Sequence, residues 1–111
     1  MIKVSVVSYL NSYPFVYGLQ NTGIKDQIEL QLDIPSVSAD KLINKDVDIA
    51  LVPVVVLKKI NYHNIISDYC IGSDGKVNSV CLYSEVPINK IKFIYLDYQS
   101  ITSVELLKIL L

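Results

Sequence analysis

The chain has 111 residues, 51% of them hydrophobic, with ten basic side chains against eleven acidic ones for a net charge of −1. That is enough apolar material for the core of one small domain, and it excludes the disordered and fibrous classes. The even charge balance leaves no field for nucleic acid or an anionic membrane surface, and no apolar run reaches the roughly eighteen residues that cross a bilayer.

The first apolar run, Ile2, Val4, Val6 and Val7, predicts a buried strand. It opens with one lysine and passes directly into Ser8-Tyr9-Leu10-Asn11-Ser12-Tyr13-Pro14-Phe15, so it is not a signal peptide. Small polar residues ahead of a proline fit the first turn of a helix, here expected from Ser12 to Leu19 with Gly18 near its end. Unpaired N–H groups at such a corner suit an anion or a hydroxyl. Ile28 to Ile34 alternates apolar Ile28, Leu30, Leu32 and Ile34 with polar Glu29, Gln31 and Asp33, the period of a half-buried strand. Pro35, Ser36 and Ser38 then open a helix through Ile43, and a third strand runs from Val47 to Val52, closed by Pro53.

This βαβαβ rhythm predicts a parallel sheet with its ligand crevice beyond the carboxyl ends of the strands, near Ser8 to Ser12 and Pro53. A short apolar helix from Val54 to Ile60 comes next. Further strands are expected at Ile65 to Ile71, Val77 to Tyr83 and Ile91 to Leu96, the first two around a turn at Gly72-Ser73-Asp74-Gly75. The last helix carries Thr102-Ser103-Val104-Glu105, the pattern of a capping box, and runs into Ile109-Leu110-Leu111 with no stop signal. From this unterminated helix the chain is expected to be a fragment of a longer protein.

Several side chains have two readings. Asn11 is either a corner cap or Asx-turn, or an amide facing the crevice, and Ser8 and Ser12 share that ambiguity. Gly72 and Ser73 belong either to a plain turn or to an anion nest. Ser79, between Val77, Val80 and Leu82, is either a satisfied core hydroxyl or a reacting group. Ser100, Thr102 and Ser103 lie where a helix is capped and also where a carboxylate is held. Asp68 and Asp97 read as strand-end carboxylates, and His63, alone in a polar connection, as a surface residue. Cys70 and Cys81 lack the spacing and histidine company of a zinc site and read as reduced, buried thiols of a cytoplasmic protein. All ten basic residues are lysine, so any bound carboxylate goes without the two-pronged arginine clamp.

Read together, the first loop, Asp48-Ile49-Ala50-Leu51-Val52-Pro53-Val54, Asp68-Tyr69-Cys70-Ile71-Gly72-Ser73 with Val77-Asn78-Ser79-Val80, and Leu96-Asp97 with Ser100-Ile101-Thr102-Ser103-Val104 resemble the chorismate dehydratases of the futalosine route to menaquinone. The resemblance runs from Val4 to Leu111, the first part of that family's usual length. A sibling enzyme of the route, which makes 1,4-dihydroxy-6-naphthoate, differs in its first-loop signature. The resemblance implies an α/β fold of the type II periplasmic-binding-protein kind, used as a cytoplasmic enzyme without cofactor or metal. Residues 1–83 correspond to its first lobe, and 84–111 to the crossing segment (Ser84 to Asn89) and the start of a second lobe from Lys90. The implied substrate is chorismate, which loses the ring proton beside the enolpyruvyl ether and the neighbouring hydroxyl to give 3-[(1-carboxyvinyl)oxy]benzoate.

Asn11 and Ser79 match the family's catalytic positions. Ser8, Ser12, Pro53, Gly72, Ser73, Ser100, Thr102 and Ser103 fall in the segments that surround substrate. Neither Asn11 nor Ser79 is a base near neutral pH, so a carboxylate of the substrate itself is the expected proton acceptor. Ile101 stands where the family commonly has arginine, which leaves Thr102, Ser103 and helix N–H groups to hold the anion. The alternative of another class is a solute- or effector-binding lobe with no chemistry. Nothing in the sequence sets an oligomeric state, and the 111-residue piece alone is expected to be inactive.

Overall fold

The computed structural model describes residues 1–111. Its centre is a three-stranded parallel sheet in the order β2-β1-β3, with β1 at Ile2–Val7, β2 at Ile28–Asp33 and β3 at Ile49–Ala50. β1 pairs with β2 from Ile2 opposite Ile28 to Val7 opposite Asp33, and with β3 through Val4 opposite Ile49 and Ser5 opposite Ala50. The expected third strand is cut to two residues. The Leu51 N–H still reaches the Ser5 carbonyl at 2.9 Å, and the Asp48 N–H reaches that of Lys3 at 2.9 Å, so the pairing with β1 continues on either side of it.

Two helices connect the strands: α1 at Tyr13–Gln20 and α2 at Pro35–Ile43. Successive side chains of a strand point to opposite faces, so Val4 and Val6 of β1 share one face and Ser5 the other. Val16 of α1 packs with Val4 and Val6, joined by Leu19, Ile28, Leu30, Ile49 and Leu51. Ser38 of α2 meets Ser5 from the other side. The helices therefore cover opposite faces, as right-handed crossovers require when the chain steps outward from β1 to β2 and then back across β1 to β3. Pro14 and Pro35 lie in the first turns of α1 and α2, where a missing N–H costs nothing. Gly18 lies inside α1, which continues to Gln20 and is closed by Asn21, whose side-chain amide donates to the Tyr17 carbonyl at 2.8 Å.

α2 ends without glycine. Asn44 is its last half-helical residue, Lys45 takes φ 63°, and the Lys45 and Asp46 N–H groups donate to the Leu42 and Lys41 carbonyls at 3.2 and 2.8 Å. This is a Schellman closure with a lysine in the left-handed position that glycine usually fills.

The second half departs from expectation. The apolar stretch after Pro53 forms tight 3-10 turns at Val54–Lys59 rather than an α-helix, with Val56 buried. None of the strands expected at Ile65 to Ile71, Val77 to Tyr83 and Ile91 to Leu96 forms. Their apolar residues suit a sheet, but a strand also needs a neighbour for its backbone, and no backbone hydrogen bond joins these three stretches. Residues 61–90 are all exposed. The radius of gyration, 16.4 Å, exceeds the roughly 13 Å of a compact chain of this length. Cys70 and Cys81, expected in those strands, are exposed free thiols rather than buried ones.

The last helix, α3, spans Ile101–Leu110 and packs on the turns at Val54–Lys59. Its cap is not the expected Thr102–Glu105 box. Ser100 is the N-cap, its hydroxyl accepting the Ser103 N–H at 3.2 Å, and Glu105 pairs with Lys108 at 2.7 Å. Lys108, by that hydrogen bond and by its charge, holds the Glu105 carboxyl below its ordinary value against slight burial, with Lys59 and Lys58 adding to the effect. No helix is long and apolar enough to cross a membrane.

Lys45→Gly tests the α2 closure. Relief of the left-handed strain outweighs the added freedom of the unfolded chain, and a gain of about 0.5–1 kcal/mol is expected in urea denaturation.

Candidate functional site

Parallel strands deliver the segments after them to one edge of the sheet. The loop after β1 carries Ser8, Asn11 and Ser12, and the segment after β3 carries Pro53, so the two groups lie beyond the carboxyl ends of neighbouring strands. Because α1 and α2 sit on opposite faces, the gap between β1 and β3 is the point where the chain's winding reverses. Such a point leaves a crevice that no connection crosses, which is where open α/β sheets bind ligands.

The first loop leaves β1 with the Ser8 N–H donating to the Asp33 carbonyl of β2 at 2.8 Å. A single tight turn at Leu10–Ser12 then feeds α1, with the Ser12 N–H on the Tyr9 carbonyl at 3.0 Å. Asn11 sits in that turn with an exposed side chain and is not a helix cap. Ser12 precedes α1 but does not cap it either. Its hydroxyl is fully buried and is the one buried side-chain polar atom without a hydrogen-bond partner.

The loop also reaches forward in the chain. The Tyr9 phenol donates to the Gln99 side-chain oxygen at 3.2 Å, next to the Ser100 cap of α3. The Ser100 hydroxyl donates to that of Ser103 at 2.8 Å while Thr102 stays exposed. The structure thus gathers Ser8, Asn11 and Ser12, Pro53, and the Ser100–Ser103 turn around the β1 and β3 exits, through the Tyr9–Gln99 bond and the packing of α3 on Val54–Lys59. Gly72, Ser73 and Ser79 are not tied to this group. They lie in the exposed stretch, where the Ser73 hydroxyl bonds only to the nearby Gly75 carbonyl at 3.4 Å, and Ser79 occupies an exposed turn rather than an apolar strand. Asp68 and Asp97 are exposed, the latter bonding the Gln99 N–H at 2.9 Å, and His63 is an exposed surface residue as expected. Two surface concavities lie elsewhere, a polar one at Asn61–Asn64 and an apolar groove between Cys81–Ser84 and Ile91–Tyr95.

Beneath the first loop is a polar network that the alternation of β2 hides, because it assigns Gln31 and Asp33 to the solvent face. α2 covers that face instead. Lys41 donates to both Asp33 carboxylate oxygens at 2.7 Å and to Gln31 at 2.8 Å. The Ser5 hydroxyl donates to Asp33 at 2.8 Å and lies 2.9 Å from the Ser38 hydroxyl, which reaches the Leu51 carbonyl at 3.2 Å. Ser38 therefore binds across the sheet instead of capping α2. A serine in the middle of the apolar β1 run and another one turn into α2 were the signals available in the sequence. Burial pushes the Asp33 carboxyl up, but the Lys41 hydrogen bond, the Ser5 hydroxyl and the Lys41 charge outweigh it, and the group sits below its ordinary value of 3.8.

A lowered carboxyl value means that the pair's contribution is complete above pH 3.8 and is lost as the pH falls through the lower folded value. Lys41→Met abolishes that acid-labile component and costs on the order of 2 kcal/mol at neutral pH, the buried-pair figure discounted for the partial exposure of Lys41. Urea midpoints from pH 7 down to about pH 3 check both effects. Ser12→Ala removes an orphaned buried hydroxyl and is expected to stabilise the chain by about 1 kcal/mol in the same assay.

No solved structure matches the chain. A protein-family model described as menaquinone biosynthesis matches residues 2–111, which takes in both strand exits, the exposed stretch and α3. The chain belongs to the menaquinone biosynthesis family.

Proposed function

We propose that the chain is the chorismate-binding part of a chorismate dehydratase, a hydro-lyase that converts chorismate to 3-[(1-carboxyvinyl)oxy]benzoate. The observation that carries the reading is the position of Asn11. The residue that matches the catalytic asparagine of the resembling enzymes lies, uncommitted to any cap, at the reversal point of the sheet in a chain of the menaquinone biosynthesis family. The reaction takes a ring proton and the neighbouring hydroxyl away as water and leaves an aromatic ring. Aromatisation supplies the driving force, so the protein needs to fix the substrate's carboxylates and assist the departing hydroxide.

In this reading Asn11 hydrogen-bonds the reacting edge of the ring. The buried Ser12 hydroxyl, which has no partner in the chain, is a polar group held ready for the ligand. The N-terminus of α3, with Ser100, Thr102 and Ser103, faces a carboxylate and does so without the arginine that Ile101 replaces. Ser79 assists from the second half of the site, together with Gly72 and Ser73. With no histidine in these segments, a substrate carboxylate accepts the ring proton. The reading makes residues 1–83 one lobe of a periplasmic-binding-protein-like fold and residues 84–111 the crossing and the start of another. The exposed apolar side chains between Ile65 and Leu96 fit this division, as a surface that further strands cover.

The test is absorbance. Chorismate mixed with the protein expressed from its complete reading frame is expected to give the ultraviolet change of a new benzoate ring. Asn11→Ala is expected to lower kcat about 100-fold or more while shifting stability by less than about 1 kcal/mol. Equal turnover in parent and variant would return Asn11 to a structural role, and binding without any absorbance change would leave a ligand-binding lobe in place of an enzyme.

A further inference from the structure

The network under the first loop joins the two edges of the crevice. Asp33 contributes at both ends of its residue, its carbonyl accepting the Ser8 N–H at 2.8 Å and its carboxylate accepting the Ser5 hydroxyl at 2.8 Å. From Ser5 the path runs to Ser38 at 2.9 Å and on to the Leu51 carbonyl at 3.2 Å, two residues before Pro53. Ser5 and Ser38 are fully buried, so no water competes for these contacts. We propose that Asp33 is a positioning residue for the site: through the Ser5 and Ser38 hydroxyls, its carboxylate sets the separation of the loop bearing Asn11 and the segment bearing Pro53. The inference rests on the site reading above and assigns it a support that touches no substrate.

Proton counting gives the path its direction. The oxygen contacts from Asp33 to Ser5, Ser5 to Ser38 and Ser38 to Leu51 are three, and the two hydroxyls bring one proton each. While Asp33 is ionised, Ser5 donates to it and the single Ser38 proton serves either Ser5 or the Leu51 carbonyl. A donor at position 33 supplies the third proton. Ser5 then turns to Ser38, Ser38 turns wholly to Leu51, and each link strengthens the next. Lys41 from α2 is the charged group bonded to Asp33 and holds it ionised. Its other partner is neutral, the Ser5 hydroxyl from β1, while Gln31 of β2 accepts from Lys41 and the Leu51 carbonyl ends the path. The state of one carboxylate is thereby felt at both strand exits.

Asp33→Asn supplies that third donor without a change of pH. Backbone amide spectra of the full chain are expected to show Asp33→Asn shifting Ser8 on one side and Leu51 and Val52 on the other. In the Ser38→Ala background, the Ser8 shift persists and the Leu51 and Val52 shifts are lost. If Asp33→Asn fails to fold, Lys41→Gln perturbs the same carboxylate in its place. Shifts at Leu51 and Val52 that survive Ser38→Ala, or that are absent from the start, would overturn the proposal. In the complete-reading-frame protein, Ser38→Ala is expected to lower kcat about 10- to 100-fold with KM within about twofold, the split of a misplaced catalytic group rather than a lost binding contact. A rise in KM at unchanged kcat would count against positioning. Absence of chorismate turnover in the parent would retire the site reading alone, and the amide shifts would still decide the coupling.

Discussion

β1 is the strand paired along both edges, and the rest of the ordered structure is arranged by that fact. Its two neighbours are parallel to it, so each must be reached by a crossover, and a right-handed crossover in each direction places α1 and α2 on opposite faces. From Val4 to Val7 the strand therefore has no solvent face. Val4 and Val6 close one side with Val16, while Ser5 closes the other by hydrogen bonding rather than by packing. A strand buried on both faces is usually apolar throughout. Here a serine is retained because Asp33 and Ser38 satisfy it, and the same bonds align the ends of the strands on either side.

The candidate site inherits this order unevenly. The first loop, Pro53 and the start of α3 are held by the sheet, by the Tyr9–Gln99 bond and by α3 packing on the turns after Pro53. Gly72, Ser73 and Ser79 depend on a stretch with no backbone partners. In the proposed reading, the buried, unpartnered Ser12 hydroxyl trades stability for function, a group that weakens the folded chain being kept available for a ligand.

Legibility in the sequence depended on how local each determinant is. Prolines at the starts of α1 and α2 and the apolar run of β1 act within a few residues, and those elements appear where they were expected. The α3 cap was misplaced because Ser100 and Thr102 both satisfy the local rule, and only the backbone conformation of Ser100 decides between them. The strands expected at Val77 to Tyr83 and Ile91 to Leu96 failed for a different reason. An apolar run beside turn residues suits a strand but says nothing about whether a neighbour exists to pair with it. The Asp33 network is hinted at only by Ser5 and Ser38, since its partners come from β1, β2 and α2 and the alternation of β2 alone assigns Asp33 to solvent.

The double pairing of β1 also has a consequence in time. In synthesis β1 precedes both of its partners, so one edge waits for β2 and the other for residues near Leu51, which are separated from β1 by the whole of both crossovers. At synthesis rates of about 5–20 residues per second, the most apolar strand stays half-satisfied for seconds. During that interval Ser5, between Val4 and Val6, interrupts with a polar side chain what would otherwise be an unbroken run of β-branched residues, the kind of segment that self-pairs.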